Sequence, residues 1–84
     1  MKIQDFKLVS GVGCYEQQTA CVMSGAVAYD RMRRGVSLGK ASDELNCVCP
    51  VLRQLIIARN DSFQDDDERT AWGLPLIPRI IGTR

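Results

Sequence analysis

Histidine is absent from this chain of 84 residues, and with it the commonest general base of enzymes. The two glycines around Val12 form a segment too short to cradle a phosphate, and no lysine follows them. None of the serines lies in a sequence typical of a nucleophile elbow. Because no complete set of catalytic residues is present, we predict a protein that is not an enzyme.

Long apolar runs and an excess of one charge are missing as well. Residues 1–7 lack the apolar stretch of a secretion signal, and apolar segments such as residues 55–58 are too short to span a bilayer. We therefore expect a cytoplasmic protein with no membrane partner, whose four cysteines stay reduced. Eleven basic and ten acidic residues leave a net charge of +1, which is no general signature of nucleic-acid binding.

The remaining composition is that of one ordinary globular domain over residues 1–84. Apolar residues make up 45% of the chain and charged residues 25%. The hydrophobic pattern predicts a mainly α fold, a small domain of three or four helices with a short N-terminal β-strand. That strand is expected at residues 6–9, within a strand-and-loop segment over 1–15. Its pairing partner belongs either to this chain or to another one.

The first helix is predicted over residues 16–35. Apolar residues recur there at spacings of three and four. They are Val22, Met23, Ala26, Val27, Tyr29 and Met32. Thr19 or Glu16 is the expected N-terminal cap, and Gly35 is the expected stop.

Two further helices and a short turn complete the predicted fold. A helix over 50–60 starts at Pro50, a residue that suits the first helical position. Its expected core residues are Val51, Leu52, Leu55 and Ile56. A third helix over 65–73 starts in an acidic cluster, because carboxylates are favoured at the positive end of the helix dipole. Residues 75–82 are expected to form a short helical turn lying on the core.

The four cysteines, Cys14, Cys21, Cys47 and Cys49, equal in number the ligands of a tetrahedral zinc ion. Their spacings lack the paired C-x-x-C of strong zinc motifs, so we favour reduced structural thiols and no cofactor. One alternative is a zinc-organised domain that binds nucleic acid. A second is a thiol redox protein using Cys47 and Cys49, since the start of a helix at Pro50 favours a thiolate at Cys49.

Two charged clusters are candidates for partner binding. The basic cluster consists of Arg31, Arg33, Arg34 and Lys40. It has the chemistry to contact phosphates, although arginines near a helix C-terminus are also expected from the dipole alone. The acidic cluster consists of Asp65, Asp66 and Asp67. It has the charge to occupy a basic groove on a partner, but a solvated helix start is the interpretation we favour.

Large apolar side chains crowd the C-terminal segment, and the candidates among them are Trp72, Ile80 and Ile81. Side chains that project outward here would form a hot spot for a protein partner or a homodimer interface. Side chains that point inward would form a lid over the helical core. The sequence leaves both interpretations open.

Three short segments resemble those of small uncharacterised bacterial and phage proteins. They are Ala-Cys-Val-Met-Ser at 20–24, Cys-x-Cys-Pro-Val-Leu at 47–52 and Leu-Ile-Pro-Arg-Ile-Ile-Gly-Thr-Arg at 76–84. The resemblance implies no catalytic or binding residue. It implies an origin in a phage or mobile element, whose small proteins often inhibit or adapt host proteins, including defence systems. The expected function is therefore non-enzymatic binding of a protein partner.

Overall fold

Four α-helices and two short strands make up the part of the chain that the computed structural model describes, residues 2–43, 45 and 48–82. The strands are β1 (Lys7–Leu8) and β2 (Thr19–Ala20). The helices are α1 (Val22–Arg33), α2 (Pro50–Ser62), α3 (Asp66–Gly73) and α4 (Ile77–Ile80). Single 3-10 turns lie at Ile3–Asp5, Tyr15–Gln17 and Leu74–Leu76. The predicted mainly α class with a short N-terminal strand is confirmed.

The N-terminal strand finds its partner inside the chain. β1 pairs with β2 in parallel, with Lys7 opposite Thr19 and Leu8 opposite Ala20. The other edge of β1 is covered by α3, where the hydroxyl oxygen of Thr70 accepts a hydrogen bond from the Leu8 N–H at 2.9 Å. A two-stranded ribbon is only marginally stable by itself, so its stability depends on the helices packed around it.

The first helix begins at Val22 rather than at residue 16. The preceding residues form a 3-10 turn, a left-handed residue at Gln18 (φ 57°) and strand β2. The N-cap is Cys21 and neither Thr19 nor Glu16. Its thiol accepts a hydrogen bond from the Ser24 N–H at 3.3 Å, while the Ser24 hydroxyl accepts one from the Cys21 N–H at 2.9 Å. This reciprocal pairing is a capping box in which the N-cap acceptor is a sulfur atom and not an oxygen.

Helix α1 lies at the centre of the molecule. Every residue from 22 to 28 is buried, and α1 contacts α2, α4 and β2. Small residues let these neighbours approach: a Cβ built on Gly25 would lie 2.9 Å from Cδ1 of Ile77 in α4. Other core side chains include Leu8, Tyr15, Val48 and Ile56.

A buried polar network ties α2 and α3 to the rest of the fold. Asn60 is 1% exposed, and its side chain bonds the Val22 N–H and the Val9 carbonyl, each at 3.1 Å. Arg69 is 3% exposed, and its Nε donates to the Asn60 carbonyl at 2.7 Å. Its guanidinium also pairs with Asp66 in the first turn of α3. Buried polar groups need such partners because an unpaired one costs free energy.

Candidate interaction surface on the second helix

The outer face of α2 is apolar and open to solvent. Val51 is 68% exposed and Leu55 is 64% exposed, and Ala58 on the same face is exposed too. Spacings of four and three residues place these side chains in one row along the helix. We call this row, Val51, Leu55 and Ala58, the α2 stripe. Exposed large apolar side chains grouped in this way mark binding surfaces more often than isolated ones do.

The prediction that Val51 and Leu55 belong to the core was wrong. The buried residues of α2 are Ile56 and Asn60, on the opposite side of the helix from the stripe. Leu52, which lies between the two sides of the helix, is half-buried. Apolar residues occur on both sides of α2, so their spacing does not tell which side faces inward. Among the described residues, α1 is the helix that packs closely against α2, and it covers one side.

The flanks of the α2 stripe differ in charge. On one side Arg59 is exposed, and its guanidinium carbon lies 4.7 Å from the centre of the Phe63 ring, a cation–π distance. The Phe63 ring in turn lies 5.3 Å from the ring of Trp72. On the other side are the exposed side chains of Gln54 and Asp61. The stripe therefore has a cationic and aromatic border along one edge.

The arginines of the predicted basic cluster are engaged within the fold. The guanidinium of Arg31 donates to the carbonyl of Leu38 and, at 3.1 Å, to that of Lys40. It therefore holds the loop that follows α1. Lys40 itself is exposed.

The other two arginines share a single carboxylate, that of the buried Asp30. Arg33 binds one of its oxygens at 2.9 Å and Arg34 the other at 2.8 Å. Since each arginine has a partner at the end of α1, this arrangement favours the structural interpretation of the cluster.

The acidic cluster begins α3. The Asp65 carboxylate accepts a hydrogen bond from the Asp67 N–H at 3.1 Å and is the N-cap. Asp66 pairs with Arg69, and Asp67 lies 3.6 Å from the ammonium of Lys7 with both side chains exposed. The acidic cluster therefore lies at the N-terminus of α3, where the helix dipole favours carboxylates.

The C-terminal apolar side chains turn towards the core. Ile80 is 5% exposed and Ile77 of the same short helix is fully buried. Ile81 and Trp72 are half-buried, and Trp72 packs against the ring of Phe63. Of the two interpretations left open by the sequence, this placement favours the lid over the core.

The cysteines that the structure describes lie in separate local settings. Cys14 is a half-buried thiol before the second 3-10 turn, Cys21 caps α1, and Cys49 is half-buried at the N-cap of α2. Within residues 2–43, 45 and 48–82, no group of three metal-ligating side chains could hold an ion. Cys47 lies outside the described residues, so the zinc site and the Cys47–Cys49 redox pair stay predictions.

Comparison with known proteins identifies no relative for the chain. It matches no family model, and neither a curated protein nor a solved structure matches it. Within the described part of the chain, each helix is too short or too polar to cross a membrane.

Proposed function

We propose that this chain is a non-enzymatic protein-binding module and that the α2 stripe is its binding surface. One observation carries the proposal: Val51 and Leu55 are one helical turn apart and about two-thirds exposed, while the opposite side of α2 faces the core. An apolar row of this kind gains free energy when a partner covers it. The lack of histidine supports a role without catalysis.

The shape of the α2 stripe suits an amphipathic helix of the partner. From Val51 to Ala58 the stripe is about 10 Å long, and it is one row of side chains wide. A helix of the partner can pack its own row of apolar side chains along the α2 stripe. The resemblance to small phage proteins suggests that the partner is a host protein that this chain inhibits or adapts.

The charge beside the stripe specifies the partner further. Arg59 is exposed at one border, and its guanidinium lies over the ring of Phe63, the residue that follows α2. A partner helix with Asp or Glu next to its apolar row would place a carboxylate near this guanidinium. Such pairs at the rim of an interface contribute mainly to orientation and association rate. We therefore propose an acidic amphipathic helix as the partner element.

A selection of helical peptides tests the proposal. Peptides that bind the wild-type chain would be selected from a library of amphipathic helices, and the dissociation constants of purified peptides measured for two variants. Leu55→Asp places a charge in the α2 stripe. Val36→Asp is the matched control, because Val36 is 51% exposed and lies outside α2.

We expect the selected peptides to be acidic and to lose about tenfold or more in affinity for Leu55→Asp, equal to about 1.4 kcal/mol. Their affinity for Val36→Asp should stay close to that for the wild type. The proposal would be contradicted if Leu55→Asp left the peptide affinity unchanged, or if Val36→Asp lowered it as much as Leu55→Asp does. The proposal would also be contradicted if the α2 stripe bound only a second copy of this chain. Sedimentation of the protein without peptide would detect such a dimer.

A further inference from the structure

A cleft lies between the N-terminal 3-10 turn and the last turns of α1. Its volume is about 330 Å³, at the small end of the range for sites that bind small molecules. The lining residues are Lys2, Ile3, Gln4, Tyr29, Met32 and Arg33. None of them belongs to α2, so the cleft is separate from the α2 stripe and from the function proposed for it.

The floor of the cleft is apolar. Ile3 is buried, and Tyr29 and Met32 are half-buried side chains three residues apart on α1, so they share one side of that helix. The unbranched thioether of Met32 adapts its shape to a neighbour more readily than a branched side chain does. These three side chains form a surface suited to an aliphatic chain.

The rim of the cleft is cationic. Lys2 is exposed, and the side chain of Arg33 is 54% exposed. Arg33 uses one terminal nitrogen to pair with Asp30, and the same carboxylate also binds Arg34. Two guanidinium charges thus share one carboxylate, which leaves one positive charge in excess in this group of three side chains. The residues that line the cleft include no Asp or Glu.

The helix end beside the cleft weakens this charge without cancelling it. The C-terminus of a helix carries about half a negative charge, which is less than one guanidinium. Lys2 and Arg33 therefore remain available to an anion that enters the cleft.

We propose that this cleft binds a small molecule made of an aliphatic chain and a carboxylate. The chain lies on Ile3, Tyr29 and Met32, and the carboxylate lies between Lys2 and Arg33. A guanidinium donates two parallel hydrogen bonds to a carboxylate, so Arg33 sets the orientation of the ligand. The apolar floor supplies affinity, because it removes part of the chain from water.

Octanoate is the probe for this proposal, and 1-octanol is the matched compound without charge. Each would be titrated into the whole chain while the methyl signals of Met32 and Ile3 are followed by NMR. We expect octanoate to shift both signals saturably and to bind about tenfold more tightly than 1-octanol, since a charge-assisted hydrogen bond is lost with the alcohol. The methyl signals of Val51 and Leu55 should move much less.

Two arginine variants separate the cleft from general charge. Arg33→Gln and Arg34→Gln each remove one partner of Asp30, but Arg33 lines the cleft and Arg34 does not. We expect Arg33→Gln to weaken octanoate binding about tenfold and Arg34→Gln to change it less than about twofold. Equal effects of the two variants, equal binding of 1-octanol, or the absence of a saturable shift would each overturn the proposal.

Discussion

The side-chain oxygen of Asn60 accepts a hydrogen bond from the backbone N–H of Val22 at 3.1 Å, so a residue near the end of α2 satisfies a donor in the first turn of α1. The first four N–H groups of a helix lack partners within the helix. The Asn60 amide nitrogen also donates to the carbonyl of Val9, just after β1. One buried side chain therefore joins α2 to the beginning of α1 and to the end of β1.

Replacing Asn60 with alanine tests this junction. The variant leaves the buried Val22 N–H and the part-buried Val9 carbonyl without their partner, and an unpaired buried group costs about 1–3 kcal/mol. We expect the free energy of unfolding, measured in urea, to fall by about 2–4 kcal/mol. Gln54→Ala on the exposed side of the same helix is the control and should change it by less than about 0.5 kcal/mol. Equal effects of the two variants would contradict the role of Asn60.

The buried glycines of α1 and α3 are expected to respond differently to an added methyl group. At Gly73 a Cβ would lie 2.3 Å from Cδ1 of Leu8 and 2.6 Å from Cγ2 of Val22, two fully buried side chains. At Gly25 it would meet the end of the Ile77 side chain at 2.9 Å. Overpacking costs about 1–3 kcal/mol, while alanine gains about 1 kcal/mol over glycine in a helix.

We therefore expect Gly73→Ala to lower the free energy of unfolding clearly and Gly25→Ala to change it less. Thermal unfolding of the two variants beside the wild type measures the difference. A larger loss for Gly25→Ala would show that α4 packs on α1 more rigidly than Leu8 packs on α3.

The start of α3 depends on the side chain of Asp65. This carboxylate accepts the Asp67 N–H, and alanine at an N-cap costs about 1 kcal/mol. We expect that loss for Asp65→Ala in urea unfolding. Asp65→Asn is the matched control: asparagine caps helices nearly as well as aspartate, so it should retain most of the stability. A loss that is as large for the asparagine variant would point to charge and not to capping.

The hydroxyl of Tyr15 is expected to give the fold a dependence on alkaline pH. Burial raises the pKa of Tyr15 above its ordinary value of 10.0, and the hydroxyl donates to the Ser24 carbonyl at 2.6 Å. Folding thus favours the neutral phenol. The resulting stability is fully present below about pH 10 and is lost as the pH rises through the higher pKa of the folded state.

Urea unfolding between about pH 8 and pH 11 measures this loss. Tyr15→Phe cannot ionise at this position, so its free energy of unfolding should fall less steeply with pH than that of the wild type. A Tyr15→Phe slope equal to that of the wild type would contradict the argument from burial.

Much of the fold was predictable because the signals are local. The dense apolar pattern of residues 22–32 predicted α1, the glycine at position 35 predicted its end, and that glycine has φ +72°. The acidic residues at the start of α3 and the proline at the first position of α2 marked two further helix starts. Caps, dipoles and left-handed glycines act within one or two turns, so short stretches of sequence contain them.

The candidate sites were less predictable because they depend on contacts between distant residues. Arg33 and Lys2 were 31 positions apart in sequence, and only the packing of the first turn on α1 brings them to one cleft. Val51 and Leu55 of the α2 stripe were predicted as core residues because they are as apolar as Ile56, which is buried. Composition alone cannot distinguish a buried row from a solvated one on the same helix.

The sequence by itself determined the mainly helical class and the ends of several helices. Only the tertiary structure decided that β1 pairs in parallel with β2 and that α2 turns its Asn60 side inward. Asn60 makes its hydrogen bonds to Val22 and Val9 across 38 and 51 positions of the chain. Those bonds exist only when the segments are packed, and a buried amide must find such partners, so they select the side of α2 that faces solvent.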